Sequence, residues 1–161
     1  MINPSEWFSN QLSANAEGLF WAANQVPGER QYKKPPQGLG EWSAARHIFH
    51  MLYYEQTIAL PSMRQWYGEP SPLVQDSDEE TAWNGSERMD DLLLKFQNIR
   101  DQQIALLPKL GQTDWDRVCD TIWGPVTLLW VVTKTYQHTM EHISDLLRIA
   151  LFWERAATRE N

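Results

Sequence analysis

Four histidines are the only ones in this 161-residue chain, and they fall in two tight clusters. His47 and His50 lie in "WSAARHIFH", and His138 and His142 lie in "YQHTMEH". Residues three or four apart share one side of a helix, one turn above the other. Two such helices packed face to face would bring three or four imidazoles together. A neutral imidazole offers a lone pair near neutral pH and is the commonest protein ligand for a transition metal. Three neutral donors leave one coordination position open, the arrangement of a catalytic rather than a closed structural site. A cation so held lowers the pKa of a bound water to about 7, or ionises a bound thiol.

The neighbours of the histidines extend both rows. Lys134, His138, His142 and Asp145 follow one another at helical steps, as do Arg46, His50, Tyr54 and Thr57, with His47 a turn before His50. A polar row along a bundle helix is costly to bury unless its members find partners, and a shared metal is one such partner. Asp145 and Glu141 are placed to hold the outer N–H of a ligand imidazole. Tyr54 is placed to donate a hydrogen bond to a substrate oxygen. The plainer alternatives are half-exposed histidines, a solvated charge at Asp145, a core Tyr54 and solvated carboxylates at Glu55 and Glu141. His47 fits a surface imidazole or one lying behind the ligands better than a ligand.

The elements that must carry these rows are helical. Pro4 to Asn24 gives an apolar stripe at helical spacing through Trp7, Leu12, Leu19, Phe20 and Ala23. "QVPGERQYKKPPQGLGE" then breaks helicity with three prolines and three glycines. Ser43 fits the N-cap of a second helix reaching Tyr67, with Pro61 expected to kink it or detach its last turns. "GEPSPLVQDSDEE" reads as an acidic loop. A third helix is predicted over Glu87 to Leu107, its inward stripe made by Met89, Leu92, Leu93, Phe96, Ile99 and Ile104. Gly111 to Gly124 is predicted irregular, with a short extended piece around Val118. The last helix is expected to begin near Pro125 or at a Thr127 cap and to run to about Glu154. Four long helices without a strand-rich block predict an all-α fold, a four-helix bundle forming one domain over residues 1–161.

Composition narrows the functions. Fourteen Lys and Arg against 21 Asp and Glu leave a net charge of −7, which argues against a nucleic-acid or anionic-membrane partner. No apolar run approaches the roughly 20 residues that span a bilayer, and the N-terminal stretch lacks the pattern of a secretory signal. The single Cys119 has no CxxC partner and reads as a small buried apolar residue, so a reducing cytoplasm is expected. Nine tryptophans, Trp130 and Trp153 among them, suit gaps between helices or a dimer contact.

"EWSAARHIFHMLYYE", with a Trp-Ser pair opening a helix and His eight residues after the Trp, resembles the DinB/YfiT-like family. "HTMEHISDLL" on the final helix resembles it too. The resemblance implies an up-down-down-up four-helix bundle, often a homodimer. It also implies a divalent transition metal, zinc or nickel, held by His50, His138 and His142, with His47 outside the triad. Better-characterised members are thiol-dependent transferases and isomerases that use low-molecular-weight thiols such as bacillithiol or mycothiol. The resemblance therefore implies a metal-dependent enzyme of the thiol S-transferase kind, acting on a small electrophilic substrate. The alternatives are a metal-dependent hydrolase that needs no thiol, and a non-catalytic bundle with a structural metal or a small-molecule-binding role.

Overall fold

Helix α1 (Pro4–Gln25) starts where the Asn3 side chain accepts the Ser5 backbone N–H and a proline occupies the first turn. The computed structural model describes residues 3–72 and 78–158. Helix α2 (Ala44–Tyr54) is capped by Ser43, whose hydroxyl accepts the Arg46 N–H. It does not break before Pro61. A π turn over Glu55–Ala59 leads into α3 (Leu60–Arg64) and a last 3-10 turn ending at Tyr67. Pro61 has no N–H to give, and the wider π turn, closed by Leu60 N–H to Glu55 O, sits just before it, so the expected change in the last turns takes the form of separate π, α and 3-10 segments.

Part of the acidic loop expected after Tyr67 is helical: α4 (Asp78–Ala82) carries Glu79 and Glu80, while residues 73–77 lie outside the described residues. Helix α5 (Met89–Leu106) buries Met89, Leu92, Leu93 and Phe96 as expected, but the stripe continues through Arg100 and Gln103. Ile99 and Ile104 sit at its half-buried margin. The region predicted irregular contains a short helix α6 (Gln112–Asp116) and an antiparallel hairpin, β1 (Val118–Thr121) against β2 (Gly124–Thr127). Gly124 has φ +84°, a left-handed conformation that glycine adopts at no steric cost. Cys119 is half-buried in β1 rather than fully enclosed. Helix α7 (Leu128–Ala157) starts on Thr127, which accepts the Trp130 N–H.

Contacts fix the directions. Along α1 and α7, Asn15 donates to the Tyr136 carbonyl, Gly18 faces Ile143, and beyond α1 Arg30 pairs with Glu154, so these two helices run parallel. Glu55 meets Arg100, Arg64 meets Gln102 and Tyr67 meets the Leu106 carbonyl, so α2 with its extension is parallel to α5. His47 meets His142 and His50 meets His138, so α2 and α7 are antiparallel. The bundle is therefore up-down-down-up, with the connections α1–α2 and α5–α7 crossing its diagonals. Its apolar interior forms two clusters, one around Leu19, Ile48, Met51, Leu92, Phe96 and Leu146, the other around Leu12, Met63, Leu107, Trp115 and Leu128. Among the described residues no helix is long and apolar enough to cross a membrane.

Candidate metal centre

The antiparallel crossing of α2 and α7 brings the two histidine pairs together. His50 Nε2 lies 3.1 Å from His138 Nε2, and His142 Nε2 lies 3.2 Å from the same atom. Two nitrogens bound tetrahedrally to one zinc at 2.0–2.1 Å are themselves about 3.3 Å apart. Two of the three separations thus match the spacing a shared divalent cation would impose, and all three nitrogens lie within 4.8 Å of one another. Without a cation the arrangement is awkward: His138 Nε2 carries one hydrogen or none and cannot satisfy both neighbours. The donor set fits a borderline transition metal.

Burial keeps the His138 and His142 rings neutral. Loss of hydration is the main cause in each case, pushing His138 down to about 3 and His142 to about 2, and neighbouring histidines lower both further. Lys134 and Arg100 add to the effect on His138. Neutral rings keep their lone pairs available for coordination at neutral pH.

The outer Nδ1 atoms have three different surroundings. His50 Nδ1 lies 3.0 Å from both carboxylate oxygens of Glu79, and Glu79 is in turn held 2.6 Å from Arg46. Arg46 is only 4% exposed. Its guanidinium sits over the rings of Trp42, Phe49 and Trp83 at 4.8, 5.4 and 5.6 Å, where cation–π attraction offsets part of its lost hydration. His142 Nδ1 meets His47 Nδ1 at 2.8 Å. His138 Nδ1 is buried and has no hydrogen-bond partner among the described residues.

Asp145 and Glu141 were expected to hold the outer N–H of a ligand imidazole; at His142 the outer nitrogen meets His47 instead. Glu141 is exposed, and Asp145 pairs with Arg148 while lying within 4.8 Å of ring nitrogens of His47 and His142. Tyr54 packs edge-on against the His138 ring at 4.3 Å, with its hydroxyl buried and unpartnered among the described residues. Burial first, and then Glu55, push that phenol above its ordinary value, so it stays a donor. Trp42 lies at 4.9 Å from the His50 ring, 5.5 Å from His47 and 6.4 Å from His142, the last in parallel planes. Trp130 is 40% exposed on Trp123, and the half-buried Trp153 lies under Arg30.

Glu55, expected to be solvated, is fully buried against Arg100 at 3.0 Å and also accepts from Gln103. Arg100 reaches Thr139 as well, at 2.9 Å. The spacing Phe96, Arg100, Gln103 continues the inward stripe of α5, and that was the sequence signal for this network. Glu79 had no such signal, because an acidic residue after prolines resembles any solvated loop.

A model of the DinB superfamily matches residues 11–146 of the chain. A search of curated proteins by sequence gives no match. Among solved structures, the chain is similar to YfiT from Bacillus subtilis, described as a probable metal-dependent hydrolase with an unusual four-helix bundle topology. The identity is 16%, the TM-score is 0.74, and 99% of this chain and 90% of that one are covered. It is also similar to a mycothiol-dependent maleylpyruvate isomerase, at 18% identity and a TM-score of 0.69. That match covers 91% of this chain and 63% of the isomerase. A mutant of the same isomerase aligns equally well. At these identities the likeness establishes the fold.

Proposed function

The chain belongs to the DinB superfamily, and we propose that it is a metal-dependent enzyme whose divalent cation, zinc or nickel, is held by His50, His138 and His142. The observation that carries this reading is the convergence of three Nε2 atoms, 3.1 and 3.2 Å from one another through His138. A bound cation would supply Lewis acidity, lowering the pKa of a thiol or water held there.

The remaining groups orient and exclude. Glu79 accepts the Nδ1 hydrogen of His50 and leaves its Nε2 lone pair facing inward, and the ion pair with Arg46 keeps Glu79 in place. Trp42 shields one side of the imidazole cluster from water. Tyr54 holds a proton on a hydroxyl that has no partner among the described residues and donates it as a hydrogen bond to an oxygen of the substrate. The substrate is a small electrophile, and the nucleophile is a low-molecular-weight thiol, in keeping with the mycothiol-dependent isomerase that shares the fold. Hydrolysis without a thiol is the second reading, supported by the near-complete overlap with YfiT.

Metal analysis of protein purified without chelator, coupled to turnover assays with thiols against epoxides and halogenated aromatics, tests the proposal. One cation per chain and thiol-dependent turnover are expected. Turnover without added thiol would select hydrolysis. Stoichiometric metal with no turnover, together with a melting temperature that collapses on chelation, would leave a structural metal.

A further inference from the structure

The histidine outside the triad is buried and touches a ligand. His47 is 6% exposed, and its Nδ1 lies 2.8 Å from Nδ1 of His142. That distance is a hydrogen bond and is too short for two nitrogens sharing a tetrahedral metal, which sit about 3.3 Å apart. One of the two atoms must carry the hydrogen and the other the lone pair. If His47 Nδ1 donated, His142 would carry its hydrogen on Nε2, aimed at His138 Nε2 only 3.2 Å away, and could not ligate. If His142 Nδ1 donates, its Nε2 lone pair faces His50 and His138, and His47 carries its own hydrogen on Nε2.

We infer that His47 is the positioning residue for His142: as a hydrogen-bond acceptor it fixes the tautomer in which His142 can bind the cation. The inference rests on the proposed triad of His50, His138 and His142. The packing of the ring supports it beyond the distance: Trp42 lies edge-on at 5.5 Å and limits rotation of the His47 ring. His142 and His50 therefore differ in their outer partners: an imidazole takes the hydrogen of one, and a carboxylate held by Arg46 takes that of the other.

The test measures zinc affinity by competition with a chelating indicator for the wild type, His47→Phe and His47→Gln. Removal of an outer partner typically weakens metal affinity by about 10–100-fold. His47→Phe should show that loss. His47→Gln, whose amide oxygen can accept from His142 Nδ1, should recover most of it. Two-bond proton–nitrogen spectra of the zinc-loaded wild type give an independent readout and do not depend on how the variants fold. They should show hydrogen on Nδ1 of His142 and on Nε2 of His47. Wild-type affinity in His47→Phe, or two zinc ions per chain, would overturn the positioning role while leaving the triad intact, whereas hydrogen on Nδ1 of His47 would take His142 out of the triad and overturn both. A wild type that binds no zinc would overturn the triad and this role together.

Discussion

Two buried polar clusters lie one helical turn apart in this bundle, and they solve opposite problems. The Glu55–Arg100–Gln103–Thr139 network joins a carboxylate to a guanidinium and adds an amide and a hydroxyl, so its charges cancel within the protein. Burial pushes the Glu55 carboxyl up and the Arg100 guanidinium down, and in each the partner's charge opposes the shift. The histidine cluster next to it brings together three ring nitrogens that could hold a metal ion. One cluster pairs opposite charges within the protein; the other gathers neighbouring imidazoles, which suits a shared cation. Closeness to the core does not separate structural from functional polarity. The presence or absence of an internal counterpart does.

The comparison breaks most readily at the ion pair. Arg100→Met leaves Glu55 as an uncompensated buried acid and should cost about 3–5 kcal/mol of stability. Urea denaturation of the variant beside the Glu55→Leu, Arg100→Met double mutant checks this. The double mutant should regain most of the loss, because an apolar pair of similar volume often replaces a buried ion pair at little cost. If the double mutant is as unstable as the single one, the network does more than satisfy itself.

His138→Ala should have the reverse profile. It removes a proposed ligand and should weaken zinc binding by more than about 100-fold, beyond the effect typical for an outer partner. The metal-free protein should fold as before, because the Nδ1 of the ring it loses has no hydrogen-bond partner among the described residues. Calorimetric zinc titration and far-ultraviolet circular dichroism separate the two outcomes.

How far the sequence reached follows the same division. The His50, His138 and His142 cluster was legible because imidazole is rare in this chain and its helical spacing is a local property. The four long helices were legible through their apolar stripes and through caps such as Ser43 and Thr127. Glu79 and the Glu55–Arg100 pair were not foreseen, since a carboxylate's partner lies across the bundle and carboxylates are common. Pro61 marked the change in the last turns but not its form. The rule that proline breaks a helix presumes a strict i to i+4 ladder, and the π turn at Glu55–Ala59 relaxes that ladder just before it.

Acid distinguishes the clusters further. His47 is held down to about 4 and His138 to about 3, against an ordinary value of 6.5. Below pH 6.5 the unfolded chain takes up protons that the folded rings refuse. Stability of the metal-free protein should therefore be complete above that pH and decline as pH falls toward the folded values. The slope should be about 1.4 kcal/mol per pH unit for each proton taken up. Urea midpoints at pH 7.5, 6 and 5 check this, and the slope should be shallower in His138→Ala.

The smallest expected effect sharpens the description of the outer partners. Glu79→Gln keeps an acceptor oxygen for His50 but loses the charge that binds Arg46, and it should weaken zinc binding by about 10-fold, the low end for such partners. Equilibrium competition assays resolve a change of that size. Unaltered affinity would mean that the Arg46–Glu79 pair serves α4 docking alone.

The crossed topology also decides what can reach the histidines. Because α1 and α7 run parallel, the chain between α1 and α2 must travel over one end of the bundle. That overpass delivers Trp42 onto the imidazoles just before Ser43 starts α2. The histidines grow from packed helices, whereas the Trp42 that lies against them comes from a segment rich in proline and glycine. Support and cover thus belong to separate parts of the molecule, and a change in the length or composition of the overpass can move Trp42 while the imidazoles keep their places.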